Sequence, residues 1–522
     1  MKRVIIAGCA VMLYTNLSLA GGVTSNATTE ITLSSAIPVV NQELEIRLNA
    51  PPAGVTEASL SILHDGKSVT NETLKLADGK ITKKWIPDQT GFYTAAFRFQ
   101  AGSQEINARL DFPVVWRDLY FFCWHTNASS RRCLSSLVCC KEEDIPYWKS
   151  RGSKTLAFIS FGGAKIDMEH DEQEVVDRTV MKWSAPLRKG YDGIFIDEFG
   201  SYPLPEQLKM LERAGKVLIK LRKENPDMLI VPAAGGALLR EEAIYFKYSG
   251  SVALLESYDT CLEHAFGTHS FRQHLDHRIM VARNTDLIYQ RGRKHAAVIL
   301  LGVGCDGGGM LIPQLEDQVR YVKRIAPEMP GIGFYTGSAS GQWAEDSGLM
   351  DAAEEMCMRY YIKPVVDVRE LWLSDYSPRV GEAVEVLARV HNSGGMDAKE
   401  VKLRIHVFEA DRSVKTPSGD EITIPELGTG YVSIAGKFKN QQEAVAAGER
   451  KKYEYQNIAG NVYPIFTAYK ENLIPRDRHV VKTTWTPKSE GMHTVVVEVI
   501  PSEGYTTLDA SARLEVYVGA KK

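Results

Sequence analysis

The spacing of apolar residues changes twice along the chain. From about Ile31 to Val115, short alternating runs (Leu44–Leu48, Ala58–Leu63, Tyr93–Phe99) are separated by the turn pairs Asp65-Gly66 and Asp78-Gly79, the pattern of a small antiparallel sandwich. From Trp116 to about Lys363, apolar runs alternate with amphipathic stretches. Leu119–Trp124, Thr155–Phe161, Gly193–Asp197, Met228–Pro232, Val252–Glu256, Arg278–Ala282, Ala296–Val303 and Gly331–Tyr335 predict eight buried strands. In Glu206–Lys223 the period is helical instead: Leu208, Leu211, Val217, Leu218 and Leu221 share one face, and Asn225-Pro226 ends the helix. Eight such strands with helix-length connections predict a (β/α)8 TIM-type barrel, with a doubly wound open sheet as the alternative. From about Val365 the two-residue alternation returns in Val384–Val390, Val401–Phe408 and Thr494–Val499, with a turn at His391–Gly395. The expected order is a leader over 1–20, a β-sandwich over 21–115, a barrel over 116–364, and a second β-sandwich over 365–522 carrying a long insertion around 409–478.

The leader changes the expected compartment. Lys2 and Arg3 precede an apolar run from Val4 to Leu13, and Ser18-Leu19-Ala20 offers a cleavage site before Gly21, so the chain reads as exported to the periplasm, cell surface or medium. An N-terminal anchor helix is one alternative; lipidation at Cys9 within Ile6-Ala7-Gly8-Cys9 is another. No later run is long and apolar enough to span a bilayer. At 522 residues, 44% hydrophobic and 24% charged, the chain can bury several cores, which excludes a single small module and global disorder. With 62 Lys and Arg against 65 Asp and Glu there is no surplus of cations for a phosphate backbone, so no nucleic-acid partner is expected. Besides Cys9 there are seven cysteines, an odd number that leaves one thiol free or paired with another chain. Cys123, His125, Cys133, Cys139 and Cys140 cluster without paired C-x-x-C spacing, which favours a bridged loop over zinc; neither metal nor cofactor is expected.

In a barrel of this kind the strands' C-terminal ends carry the active site, which makes acids at those ends informative. Asp192-Gly193-Ile194-Phe195-Ile196-Asp197-Glu198 runs an apolar strand into two adjacent acids, and Val252–Glu256 ends another strand in a third. Cleaving a glycosidic bond takes one carboxyl group to protonate the leaving oxygen and a second to attack or to activate water. An N-cap or a surface loop explains either acid taken alone, and acids at strand ends also serve metal-dependent enzymes, so the pattern leaves both readings open. Trp124 and His125, Tyr258 and Asp259, Asp306, and Tyr335 follow other strands and are candidate sugar contacts, each with a packing or turn role as its alternative. Gly307-Gly308-Gly309 lacks the Lys-Ser/Thr of a phosphate loop and reads as plain loop.

Three resemblances add to this. Asp88-Gln89-Thr90-Gly91-Phe92-Tyr93 resembles the D-x-x-G-x-Y corner of immunoglobulin-like domains. Gly190, Asp192–Phe195, Asp197-Glu198, Asn225-Pro226 and Glu256 resemble, in order, the G-x-D-G-I-F-x-D-E strand, N-P strand entry and later Glu of spherulin-type and related endo-galactosaminidase glycoside hydrolases. Chitinase-like barrels differ, since their acid stands two residues after the Asp, whereas Glu198 follows Asp197 directly. Val231–Gly236 departs from the usual Asn-Pro-Gly turn. Asn392, Gly394 and Ala398, then Trp485, Pro487, Gly491 and His493, resemble the bacterial cell-adhesion-related domain. The resemblance implies a glycoside hydrolase acting on a polysaccharide, one with amino sugars among the candidates. Glu256 is then the acid, Asp197 the opposing carboxylate and Glu198 a tuning group, in an order the sequence does not fix. A non-catalytic carbohydrate-binding or adhesion protein associated with the cell surface, and a metal-dependent hydrolase, are the alternatives.

Overall fold

The computed structural model describes residues 30–49, 51–124, 136–161, 169–199, 205–234, 251–257, 270–284, 296–305, 308–335, 348–409, 420–429, 431–433, 454–458, 461–465, 473–475 and 478–521. Two compact units emerge, one from Met1–Leu33, Glu43–Ile86 and Phe92–Pro113, the other from Ser34–Gln42, Pro87–Gly91 and Val114–Lys522. The leader expected over residues 1–20 falls outside the described residues. Among the described residues no helix is long and apolar enough to cross a membrane.

The first unit is a sandwich of a three-stranded sheet (Glu30–Leu33, Leu44–Asn49, Lys80–Trp85) and a four-stranded one (Lys67–Lys75, Glu57–His64, Gly91–Ala101, Gln104–Val114). Alternation puts Ile46, Leu48, Leu60, Ile62, Ile81, Ala95 and Phe97 inside. Both Asp-Gly pairs take positive φ at both residues (48° and 77°, then 50° and 73°), as a two-residue hairpin turn following right-twisted strands requires. Tyr93 is buried, its ring stacked on His64 at 4.4 Å.

In the second unit eight parallel strands close into a barrel: β1 (Tyr120–Trp124), β2 (Leu137–Cys139), β3 (Lys154–Ser160), β4 (Gly193–Asp197), β5 (Leu229–Ala234), β6 (Val252–Ser257), β7 (Ala296–Gly302) and β8 (Gly331–Tyr335). Each pairs with its neighbour in chain order, and β8 pairs with β1. A barrel that follows one sandwich and precedes another in chain order is thus present, though two predicted details differ. Arg278–Ala282 is not a strand but lies in the helix Ser270–Asn284, where Leu275, Ile279 and Ala282 are buried at helical spacing. The strand that takes its place in the count is β2, three residues long and too short to show a period.

Within the same unit the chain ends in a second sandwich, of Val366–Leu373, Val384–Asn392 and Arg478–Trp485 against Asp420–Leu427, Ala398–Glu409, Gly491–Val499 and Ser511–Val518. Asp420–Leu427, expected within the insertion, pairs with Ala398–Glu409 and belongs to the sheet. Asn392, fully buried, explains the Asn-x-Gly signature. Its Oδ1 accepts from the N–H groups of Val365 and Gly394, and its Nδ2 donates to the carbonyls of Met396 and Leu427. Gly394 is required because a Cβ there would lie 2.1 Å from the Lys363 carbonyl oxygen. That turn seats the sandwich on the barrel: Trp116 donates its N–H to Gly395 and its Nε1–H to Gly394, and the buried Lys323 donates to the Ser393 carbonyl at 2.6 Å.

Candidate active site at the barrel mouth

The strand that carries two of the acids is held from its base. Thr155 donates its N–H and hydroxyl to Asp192 Oδ2 at 2.9 and 3.0 Å, tying β3 to the start of β4. A Cβ on Gly193 would stand 1.9 Å from the Leu229 carbonyl oxygen, so only glycine lets β4 approach β5 there. Asp192 and Gly193 therefore belong to the barrel's floor, and of that motif only Asp197 and Glu198 reach the mouth. There, Phe161 N–H donates to the Asp197 carbonyl and Phe199 N–H to the Ala233 carbonyl. Glu198, between these anchors, takes a left-handed conformation (φ 53°) uncommon outside glycine, so the turn after Asp197 is tightly specified.

The register settles which strand ends share a level. Following Cα partners from Trp124 through Cys139, Leu156, Gly193 and Leu229, then from Ala233 to Leu254 and Val298, and from Ile299 to Ile332, the circuit closes on Phe121. It has by then moved four residues up β5 and one up β7 and still ends three residues below Trp124, a net stagger of eight residues, the shear of a TIM-type barrel. One level therefore gains about one residue per strand relative to the pairing register. On this count Asp197 of β4, Glu256 of β6 and Tyr335 of β8 lie in one layer. Trp124, Phe158, Ala233 and Leu300 form the layer beneath it, and Cys139, Phe195, Leu254 and Gly333 the next.

These positions face inward. Phe195 of β4 meets Phe122 and Trp124 of β1 at 5.0 and 5.1 Å between ring centroids, although two strands separate β4 from β1 in the barrel wall. Asp197, two residues on, points the same way. Glu256 shares a face with Leu254, the pairing partner of Ala233, and is 4% exposed. Trp124 stacks on Phe158 at 5.2 Å and touches Tyr335 at 4.7 Å, giving the acids an aromatic floor. With strands about 4.8 Å apart, residues two strands apart on one level stand roughly 10 Å apart at the backbone, and inward-reaching carboxyls roughly 5–8 Å apart.

Burial pushes the Asp197 carboxyl up to about 6; the Glu198 charge adds to the rise, and the Glu198 backbone N–H, donating to it, opposes it. Cys139, deeper in the barrel, is held protonated by burial, by Cys140 and by the Asp197 charge, and so is no nucleophile at neutral pH. Cys139 and Cys140 are free thiols rather than members of a bridge; Cys133 is outside the described residues. Among the described residues no cluster of His, Cys, Asp and Glu could hold a metal ion.

Of the residues singled out from sequence, Asp197, Glu256, Trp124 and Tyr335 come together here, with Glu198 exposed at the rim. His125, Tyr258, Asp259 and Asp306 lie outside the described residues. Phe158 was not foreseen: it is 44% exposed although it faces the barrel interior, and its one sequence signal is an aromatic two residues before the end of β3.

No protein-family model matches the chain, and no curated protein matches it. Solved structures similar to it include a β-glucuronidase of Parabacteroides merdae (9% identity, 94% of this chain and 77% of that one, TM-score 0.30). A β-glucuronidase of Bacteroides uniformis matches at 11% identity over 94% of this chain and 61% of that one, with TM-score 0.32. The CARDB domain of the PF1109 protein from Pyrococcus furiosus matches at 15% identity over 30% of this chain and 90% of that domain, with TM-score 0.18. Scores of this size establish no common overall structure, and nothing about the site is taken from them.

Proposed function

We propose that the chain is an exported glycoside hydrolase that cleaves a polysaccharide with Asp197 and Glu256. The observation that carries this reading is their shared inward layer at the barrel mouth, level with the Tyr335 ring and above those of Trp124 and Phe158. Paired carboxyls over an aromatic floor suit a sugar ring, whose apolar face stacks on the rings while its glycosidic oxygen lies between the acids. Asp197, with its pKa near 6, is suited to hold a proton near neutrality, so it is the donor in this reading and Glu256 the opposing carboxylate, the reverse of the order favoured from sequence. The Asp197 proton passes to the leaving oxygen as the bond to the anomeric carbon breaks. Glu256 either attacks that carbon or takes a proton from the water that does. The estimated separation of roughly 5–8 Å overlaps both the ~5–5.5 Å of retaining enzymes and the ~6.5–9.5 Å of inverting ones.

The test is release of reducing ends from a polysaccharide panel, amino-sugar polymers included, by the full chain and by Asp197→Asn and Glu256→Gln. Each amide variant should keep the far-UV spectrum and lose about 10²–10⁴-fold in turnover. Wild-type turnover in the double variant would refute the assignment. Polymer binding without any hydrolysis by the parent would favour the adhesion reading, and loss of activity to chelators the metal-dependent one.

A further inference from the structure

The C-terminal sandwich carries a groove of about 420 Å³, lined by Tyr376, Ser377, Arg379, Tyr517 and the segment Gly519–Lys521. That volume falls within the ~300–1,000 Å³ usual for small-ligand sites. Its two tyrosines are among the most exposed large side chains described, at 59% and 54%. The walls are fastened to each other: Gly519 N–H donates to the Pro378 carbonyl at 2.8 Å and Val380 N–H to the Gly519 carbonyl at 3.1 Å. Asp375 Oδ1 accepts from Ser377 N–H, fixing the loop, and the Tyr517 hydroxyl donates to Glu490 Oε1, fixing that ring. The groove is thus formed before any ligand arrives, which spares the ordering cost of binding. Among the described residues its charged lining residues are Arg379 and Lys521, and neither forms an ion pair there.

We propose that this groove binds an acidic polysaccharide, the two tyrosine rings stacking on sugar faces while Arg379 and Lys521 meet carboxylate or sulfate groups carried on the rings. Tyrosine supplies a rigid apolar face at low entropic cost, and unpaired cations select chains bearing oxyanions over neutral ones. The site is separate from the barrel mouth. It holds the polymer whether or not the barrel cleaves it, so its failure and that of the hydrolase reading are distinguishable.

The test is affinity gel electrophoresis of the full chain, in the Asp197→Asn background, through gels containing dextran, dextran sulfate or polygalacturonate. Retardation is expected with one or both charged polymers and not with dextran, and which of them acts distinguishes sulfate from carboxylate. Tyr376→Ala with Tyr517→Ala should weaken binding at least tenfold, while the corresponding Phe pair retains it. Arg379→Glu with Lys521→Glu should do the same and remove the dependence on salt. Retardation by no polymer, equal retardation by dextran, or tyrosine variants that bind like the parent would overturn the proposal.

Discussion

Replacing Asp197 by asparagine should make the protein more stable at neutral pH, and only there. The carboxyl's pKa rises from 3.8 to about 6, chiefly through burial. The folded chain therefore binds more protons than the unfolded one between about pH 4 and 6, so stability falls as pH rises through that window and stays lower above it. Two units at about 1.4 kcal/mol each set an upper bound near 3 kcal/mol, and solvent screening at a half-exposed mouth leaves about 1–2 kcal/mol. Asparagine has the same shape, and its Oδ1 still accepts from the Glu198 N–H, so the substitution removes the charge and little else. Thermal melting of the full chain should show Asp197→Asn melting about 2–4 °C above the parent at pH 7.5 and no higher at pH 4. An equal gain at both pH values would mean that something other than the charge is responsible. A less stable variant at pH 7.5 would refute the burial argument outright.

The remaining predictions follow from the same structure. Glu198→Gln removes the second cause of the Asp197 shift, so if Asp197 is the donor, the fall in activity as pH rises through about 6 should move to lower pH; an unmoved profile sinks that role for Glu198. Phe158→Ala, at a partly exposed position, should leave the melting temperature nearly unchanged while raising KM more than it lowers kcat, whereas a large loss of stability would make Phe158 a packing residue. Asn392→Ala strands two N–H groups and two carbonyls in the core and should cost about 2–4 kcal/mol by denaturant titration; a loss below about 0.5 kcal/mol would contradict the hydrogen-bond account of the Asn-x-Gly turn. If the chain is exported as proposed, intact-mass analysis of the mature protein should place its N-terminus at Gly21, while a lipid on Cys9 would establish anchoring instead.

The sequence made some parts of this fold plain for identifiable reasons. Long apolar runs such as Ala296–Gly302, buried at every position, stand out because a parallel strand in a barrel wall is covered on both faces. The Asp-Gly hairpins stand out because few residue pairs accept two positive φ angles. Arg278–Ala282 misled because its apolar run, the four residues Ile279–Ala282, carries too little period to separate strand from helix. Asp420–Leu427 was lost among unfamiliar residues because its place depends on Ala398–Glu409, a partner fixed only by tertiary pairing. At the mouth, the acids at the ends of β4 and β6 were legible one strand at a time. That Phe158 lies beside them was not, because the stagger that sets levels is a property of the closed barrel and of no single segment.

That stagger also makes the pairing of Asp197 with Glu256 a demanding coincidence. Side chains alternate along a strand, so an acid at position 255 or 257 would face the helices, and one at 254 would lie two layers lower, level with Phe195 and Cys139. Position 256 alone among these four puts a carboxyl both inward and level with Asp197. The same parity explains the cost: each acid displaces an apolar side chain from a barrel interior otherwise filled by Phe122, Phe195, Leu254 and Leu300, all buried. Moving the acid one residue, by Glu256→Leu with Ser257→Glu, keeps the composition of the strand end close to the original and should nonetheless abolish turnover. Full activity in that variant would show that the level and facing of the carboxyl do not matter, and the site would have to be sought elsewhere.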